Sequence, residues 1–293
     1  MSPIGPTEAM VPGFGGLQLC LRSHDGPAHT PLLILHGFQD QSASWDACVE
    51  VLCANGPVLV PDQRGFGLSE HVGRGGTYHF SDYVLDIDTL LQDQDLEAVH
   101  VVGHSMGATV ACYLAAARPD LVRTLSLVDG IGPPEVPDTK APEQLRIHLR
   151  HHRRPRGHSP MASLGDAAAR LRKATPSLSI ERALALAERG TRSTPQGWVW
   201  RWDAKHRARS ALPFDADRFV AHLQEVQCPT QLVLGAQGWF RHLPDLDRRV
   251  QALRARQISI EGGHNLHLDN PQGLAKVLGD WIRTQSPRAA IQS

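Results

Sequence analysis

Residues 99–107 read Val-His-Val-Val-Gly-His-Ser-Met-Gly, and the predicted fold depends on them. Four residues typical of a buried strand precede Gly103-His-Ser105-Met-Gly107, and a helical pattern runs from Ser105 to Arg118. The two glycines let a strand turn sharply into a helix, because side chains there would clash. This arrangement is typical of a nucleophile elbow, so we predict that Ser105 is a catalytic nucleophile. The other interpretation is an ordinary glycine-flanked turn.

Short apolar strands alternate with amphipathic helices over much of the chain. The predicted strands are Leu32–Leu35, Val58–Val60, Val99–Val102, Thr124–Val128, Gln231–Leu234 and Gln257–Ile260. The predicted helices are Ser81–Gln92, Ser105–Arg118 and Pro271–Arg283. Such alternation indicates an α/β fold in which a mostly parallel sheet carries helices on both faces.

From residue 133 to 227 this alternation stops. The stretch is rich in arginine, alanine and histidine and is interrupted by prolines, which favours short helices. We predict an inserted helical cap over residues 133–227, and an α/β core over residues 1–132 and 228–293.

The composition limits the classes of partner. Thirty Lys plus Arg balance 30 Asp plus Glu, so long-range attraction to nucleic acid or anionic lipid is absent.

No run of about 18 apolar residues predicts a membrane span, and Met1–Pro6 lacks a secretory signal pattern. Five scattered cysteines without a CxxC pair favour reduced thiols. We expect a cytoplasmic protein that acts on a small molecule, with no nucleic-acid or membrane partner.

A serine hydroxyl needs a neighbouring base to become a good nucleophile. Among 16 histidines, His264 follows the last predicted strand on a Gly-Gly-His loop before the final helix. Because strand ends at one sheet edge converge, this loop can reach Ser105. His267 lies between two leucines and is predicted to pack in the core, while His104 is predicted to point away from the site.

Acyl transfer also needs N–H groups directed at the developing oxyanion. We predict these donors in the backbones of Met106, which follows the nucleophile, and Phe38, which follows an early strand. His36 and Gly37 precede Phe38 and are predicted to contribute to substrate binding. Alternatively, His36 only ends a strand and forms a hydrogen bond in the core.

Several further side chains are candidates for the substrate pocket. Trp239 and Phe240, in the loop after the strand at 231–234, are predicted to face the site. Three cap tryptophans alternate at Trp198, Trp200 and Trp202. They either line an acyl pocket or pack the cap on the core. The basic run at 146–156 has two interpretations. It either binds an anionic substrate or, as is commoner for such runs, forms a solvated helix face.

No metal or organic cofactor is predicted. Gly130-Ile-Gly132 begins like a dinucleotide-binding turn, but prolines follow where a helix would have to start. His264, His267 and Asp269 form a possible metal set, yet no further spacing completes it.

With these residues in place, the chain resembles the α/β-hydrolase superfamily over about residues 11–131 and 227–284. The resemblance rests on the elbow, on Asp62-Gln-Arg-Gly-Phe-Gly-Leu-Ser69 and on Gly-Gly-His264. Within the superfamily it is similar to the serine hydrolase-like proteins. That similarity rests on residues 36–40, 44–46, 127–129, 189–191 and 264–267. It implies serine-hydrolase chemistry without naming a substrate.

The triad acid departs from the superfamily's usual pattern, which places it in the loop after the penultimate strand. Here that loop, residues 234–240, contains no carboxylate. Asp129 ends the strand after the nucleophile helix, a position that some relatives use, and the resemblance implies that it is the acid. The alternatives are Asp245 or Asp247, or a purely structural Asp129 beside a Ser–His dyad.

The expected reaction is hydrolysis of a carboxylic ester, with thioester, lactone and amide as related substrates, through Ser105, His264 and Asp129 and an acyl-enzyme. The same residues would serve carbon–carbon bond hydrolysis or acyl transfer. A non-catalytic ligand-binding protein on this fold is the remaining alternative.

Overall fold

An eight-stranded sheet forms the centre of the structure, a computed structural model that describes residues 5–27, 30–154 and 156–285. The strands are β1 (Thr7–Pro12), β2 (Gln18–His24), β3 (Leu32–Leu35), β4 (Val58–Pro61), β5 (Val99–His104), β6 (Val122–Val128), β7 (Thr191–Thr194), β8 (Gly197–Trp200), β9 (Thr230–Gly235) and β10 (Arg256–Ile260). β7 and β8 form a separate two-stranded sheet, and the other eight strands follow the order β1-β2-β4-β3-β5-β6-β9-β10 in the central sheet. β2 pairs antiparallel with β1 and β4, and all pairs from β4 to β10 are parallel. The predicted, mostly parallel α/β fold is therefore confirmed.

Helices cover both faces of this sheet. The helices of the described residues are α1 (Asp46–Leu52), α2 (Phe80–Asp93), α3 (Met106–Ala117), α4 (Ala141–Arg153), α5 (Leu164–Ala174), α6 (Ile180–Gly190), α7 (Ala216–Gln224), α8 (Leu246–Leu253), α9 (Leu266–Asp269) and α10 (Pro271–Gln285). Of these, α4, α5 and α6 lie in the segment between β6 and β9 and contribute no residue to the two apolar clusters of the sheet. Successive strand residues point to opposite faces. Leu33 and Leu35 accordingly pack in the apolar cluster shared with α2 and α3, whereas Leu32 and Ile34 pack in the cluster shared with α1 and α10.

Two β-hairpins were not predicted. β1 is exposed over most of its length, so its sequence lacks the apolar run that identified the central strands. The other hairpin, β7 and β8, lies in the segment that was expected to contain only helices. The spacing of Trp198 and Trp200, two residues apart, is typical of a strand. Gly197 adopts the positive φ of 121° at the turn between β7 and β8.

The segment between β6 and β9 contains its own small apolar cluster. That cluster joins α5, α6 and neighbouring residues and includes Met161, Ala167 and Leu186. α7, at the end of the segment, instead packs against the core, where Phe219 and Leu223 belong to the main apolar cluster. The boundaries 133–227 stay a prediction, as does the cytoplasmic location. Within the described ranges, no helix has both the length and the apolar character needed to cross a bilayer.

Arg189, at the end of α6, connects this inserted segment to the core. Its guanidinium lies 2.9 Å from the carboxylate of Asp62, which is completely buried, and 3.0 Å from Gln41 Oε1. The Gln41 amide donates in turn to the carbonyl of Leu186 across 2.8 Å. A buried carboxylate without a cation is costly, so this ion pair couples the inserted segment to the Asp62 loop.

Candidate active site

The turn between β5 and α3 carries Ser105 in a strained conformation. Its φ of 52° is in the left-handed region, which side-chain-bearing residues rarely adopt. A methyl group at Gly103 would lie 2.7 Å from Ala108 Cα, and one at Gly107 would overlap the carbonyl of Leu35. The two glycines are thus required by backbone contact on both sides of the serine.

Ser105, His264 and Asp129 form one hydrogen-bonded line. His264 Nε2 lies 3.0 Å from Ser105 Oγ, and His264 Nδ1 lies 2.6 Å from Asp129 Oδ2. A neutral imidazole that donates from Nδ1 to a carboxylate keeps its Nε2 lone pair for the serine proton. The structure therefore brings together three side chains from three separate strand ends in the geometry of a nucleophile, a base and an orienting acid.

Asp129 is completely buried at the end of β6. Its Oδ1 accepts the N–H of Gly235 across 3.1 Å, which leaves Oδ2 for His264. A methyl group at Gly238 would overlap Asp129 Oδ1. The loop after β9 lacks the acid of the usual superfamily pattern. Its Gly238, which has no side chain, thus leaves room for the Asp129 carboxylate.

The two alternative acids lie elsewhere. Asp245 Oδ2 accepts a hydrogen bond from the buried Arg249 across 2.7 Å, and Asp247 is exposed in the first turn of α8. Asp129 is the carboxylate that contacts His264.

A second buried polar cluster lies behind His264. His104 Nε2 donates to the backbone carbonyl of His264 across 2.9 Å, and the His104 ring lies 4.7 Å from that of His267. His267 stacks on Trp45 and contacts Asp40 at 3.1 Å. Burial, followed by the two neighbouring histidines, lowers the pKa of His104, so its ring is neutral. His104 thus supports the loop that carries His264.

This cluster also changes which residues could hold a metal ion. In the described part of the chain, the donor atoms of Asp40, His104 and His267 lie within 4.8 Å of one another. The set considered from the sequence is not brought together in that way, because His264 contacts Ser105 and Asp129. Asp269 accepts the backbone N–H of Gly263 instead.

The predicted oxyanion donors lie at the expected sheet edge. Met106 is the first residue of α3, so its N–H is free of intrahelical hydrogen bonding. Phe38 follows β3, and both residues line the cavity that contains Ser105.

His36 and Gly37, predicted to bind substrate, do not line that cavity. His36 is completely buried, and its Nε2 accepts the backbone N–H of Gln63 across 2.9 Å. A methyl group at Gly37 would lie 2.7 Å from His104 Nδ1 and 3.3 Å from Ser105 Cβ. Both residues instead shape the loop that positions Phe38.

A cavity of about 370 Å³ opens beside Ser105. Its aromatic lining consists of Phe38, Tyr78, Phe80, Tyr83, Trp239 and Phe240. Phe240 also stacks on the imidazole of His264, with 5.8 Å between ring centres. Trp239 and Phe240 thus line the same cavity as Ser105. Trp200 and Trp202 line a neighbouring cavity of about 320 Å³, and Trp198 packs on the apolar cluster of the inserted segment.

The inserted segment adds basic side chains that sequence reasoning had not assigned to the site. These are His148, His152, Lys205, His206 and Arg209. The basic run at 146–156 gave a partial signal, since its arginines are exposed whereas His148 and His152 turn toward the cavity. Nothing in the local sequence distinguished Lys205 and Arg209.

Comparison with known proteins agrees with this fold. The family model for the alpha/beta hydrolase fold matches residues 30–271. A serine hydrolase-like protein of Danio rerio is 30% identical over 279 residues, covering 89% of this chain and 84% of the relative. Serine hydrolase-like protein 2 of Homo sapiens is 24% identical, covering 86% and 87%.

Among solved structures, a thioesterase domain from the curacin biosynthetic pathway superposes with a TM-score of 0.86. It is 33% identical, with 94% of this chain and 99% of that chain covered. A hypothetical protein from Pseudomonas aeruginosa PAO1 gives a TM-score of 0.85 at 29% identity, with 96% and 99% covered. The protein is a hydrolase, and the chain belongs to the alpha/beta hydrolase fold family.

Proposed function

We propose that this hydrolase cleaves a carboxylic ester or thioester of a small molecule through an acyl-enzyme on Ser105. The observation that supports this most directly is the continuous line from Ser105 Oγ through His264 to Asp129, with 3.0 Å and 2.6 Å between the hydrogen-bonded atoms. In a serine triad the base lies between the nucleophile and the orienting acid in this order.

In the first half-reaction, Ser105 Oγ attacks the substrate carbonyl while His264 Nε2 takes the hydroxyl proton. Asp129 stabilises the imidazolium that forms, and the N–H groups of Phe38 and Met106 stabilise the oxyanion. The carbonyl–oxygen or carbonyl–sulfur bond then breaks, and the alcohol or thiol leaves with the proton from His264.

In the second half-reaction, His264 removes a proton from water, which attacks the acyl carbonyl. Ser105 leaves as the alcohol after it regains the proton, and the carboxylic acid is released. The three residues return to their starting state, so the cycle requires no redox partner. Each residue keeps the same role in both halves.

Two observations favour esters and thioesters over the alternatives. The cavity beside Ser105 is lined by six aromatic side chains and has a size that suits a small acyl compound. The curacin-pathway domain, 33% identical to this chain, is described as a thioesterase. Membership of a hydrolase family argues against the non-catalytic alternative, whereas acyl transfer and carbon–carbon hydrolysis share the triad and are separated by their products.

The test is labelling with a fluorophosphonate, followed by peptide mapping, with Ser105→Ala as the control. We expect a single adduct on Ser105 that is absent from the variant, and loss of turnover of p-nitrophenyl and thioester substrates in parallel. Free acid as the product, rather than an ester of an added alcohol, identifies hydrolysis. An adduct at another residue, or ester turnover that survives Ser105→Ala, would refute the proposal.

A further inference from the structure

The cavity beside Ser105 has an uneven distribution of charge. Lys205 and Arg209, both from the inserted segment, line it together with His148 and His152 from that same segment. No Asp or Glu is among the described residues that line it. Asp203 does not line the cavity. Its carboxylate accepts a hydrogen bond across 2.8 Å from the hydroxyl of Tyr78, which does line it. The inner surface thus has two formal positive charges and no carboxylate.

Lys205 is fixed in place without being neutralised. Its ammonium lies 2.6 Å from the carbonyl oxygen of Gly73, 3.3 Å from that of Arg74 and 3.2 Å from that of Gly76. Three carbonyls satisfy the three N–H donors of a lysine but have no net charge. The positive charge of Lys205 therefore acts on the cavity through space, at a defined position.

Arg209 differs from Lys205, because its guanidinium has no hydrogen-bond partner among the described residues. The side chain is exposed and makes no hydrogen bond or ion pair with another residue in the described ranges. Its backbone is held, since the carbonyl of Arg209 accepts from His148 Nδ1 across 2.8 Å. A guanidinium in this situation can bind a carboxylate or a phosphate with two parallel hydrogen bonds.

His152 adds a hydrogen-bond donor rather than a further charge. Burial, then the nearby His148, His151 and Lys205, lowers the pKa of His152, which is therefore neutral at pH 7. A neutral imidazole can donate one hydrogen bond to an anion that the two cations already attract.

We propose that the cavity binds an ester or thioester that carries an anionic group, a carboxylate or a phosphate, at the end opposite the scissile carbonyl. The reacting carbonyl lies at Ser105 among the aromatic side chains, and the anion binds Arg209 and is attracted through space by Lys205. This proposal rests on the proposed function and specifies its substrate class.

The experiment compares three acetyl esters on one phenyl ring: 4-acetoxybenzoate, 4-acetoxyphenyl phosphate and the neutral 4-acetoxybenzamide. After correction for the spontaneous hydrolysis rate of each ester, we expect at least one anionic ester to exceed the amide about tenfold in kcat/KM. One charge-assisted hydrogen bond supplies a factor of that size. The better of the two anions distinguishes a carboxylate site from a phosphate site.

The variant Arg209→Gln should reduce the ratio of anionic to neutral kcat/KM toward one. The matched control is Arg192→Gln, an exposed arginine of the same segment that does not line the cavity, and it should keep the wild-type ratio. Equal kcat/KM for all three esters, or an unchanged ratio in Arg209→Gln, overturns the proposal while leaving the esterase function intact.

If none of the esters is cleaved, the proposed function fails, and calorimetry on the Ser105→Ala variant tests the anion site separately. The ligands are 4-hydroxybenzoate and 4-hydroxybenzamide. Tighter binding of the anion that is lost on adding Arg209→Gln supports the site. Equal binding of the two ligands overturns it.

Discussion

The ring of His104 donates a hydrogen bond to the backbone carbonyl of His264 across 2.9 Å, so the residue before the proposed nucleophile contacts the loop that carries the proposed base. His104 and Ser105 are consecutive residues of the turn between β5 and α3. Because His104 holds the backbone of His264, this turn positions both partners of the Ser105–His264 hydrogen bond. Effective base catalysis depends on this distance, because small displacements of reacting groups cost large factors in rate.

Removing this support should affect turnover more than substrate binding. We expect His104→Asn to lower kcat about 10- to 100-fold with little change in KM, because the base loop shifts. The control is His100→Asn, which alters another buried histidine of β5 that bonds to the Thr124 hydroxyl instead. Steady-state kinetics and thermal unfolding of both variants provide the measurement. A similar fall in kcat for both variants would show that only general destabilisation is involved.

Asp129 should be essential for the rate but not for the fold. We expect Asp129→Asn to lower kcat about 10⁴-fold, because the amide favours the wrong tautomer of His264. The exposed Asp247 is the matched control, and Asp247→Asn should keep wild-type kinetics. Circular dichroism checks that both variants are folded. Asp129→Asn activity within tenfold of the wild type would mean that the acid is elsewhere.

The close approach of Gly238 to Asp129 gives a steric test of the same hydrogen bond. We expect Gly238→Ala to displace the carboxylate and lower kcat about 100-fold, although the φ of −69° suits alanine. Gly157→Ala is the control, since nothing lies within 4 Å of a methyl group there. A crystal structure of the variant should show a longer Asp129–His264 distance. Unchanged kcat in Gly238→Ala would contradict the assigned geometry.

His206 should make stability depend on pH. Its ring is stacked between Phe66 and Tyr78, and burial lowers the pKa of His206 to about 3. The unfolded chain therefore binds a proton that the folded chain does not, from about pH 6.5 downward. This contribution to stability is complete above pH 6.5 and is lost as pH falls toward 3.

Urea unfolding at pH 7, 6 and 5 measures that loss. We expect wild-type stability to fall below pH 6.5 by about 1.4 kcal/mol per pH unit more than that of His206→Phe. Phenylalanine keeps the stacking and removes the titration, so the difference between the two proteins isolates one histidine. Parallel pH curves would show that His206 titrates normally in the folded protein.

The central sheet could be predicted because its strands are buried on both faces and read as continuous apolar runs. Val99–His104 and Leu32–Leu35 are of this kind, and their bounds were placed within two residues. β1 was missed because an exposed antiparallel edge strand does not require such a run. The pairing of the β1–β2 hairpin is fixed by contact of β2 with β4, which is distant in sequence.

The candidate triad could be proposed from the sequence because each member follows a recognisable strand end. Parallel strands bring those ends to one edge whatever lies between them. No comparable rule predicts which side chains line the far wall of the cavity. Lys205 and Arg209 belong to a segment of short helices and turns, and its packing on the core decides which side chains face Ser105.

The ion pair of Arg189 with Asp62 has a consequence for how this protein can be altered. Removing residues 133–227 would leave an uncompensated negative charge inside the Asp62 loop, which also supplies the N–H bound by His36. An exchange of this segment between relatives would therefore have to bring with it a cation that replaces Arg189 beside Asp62.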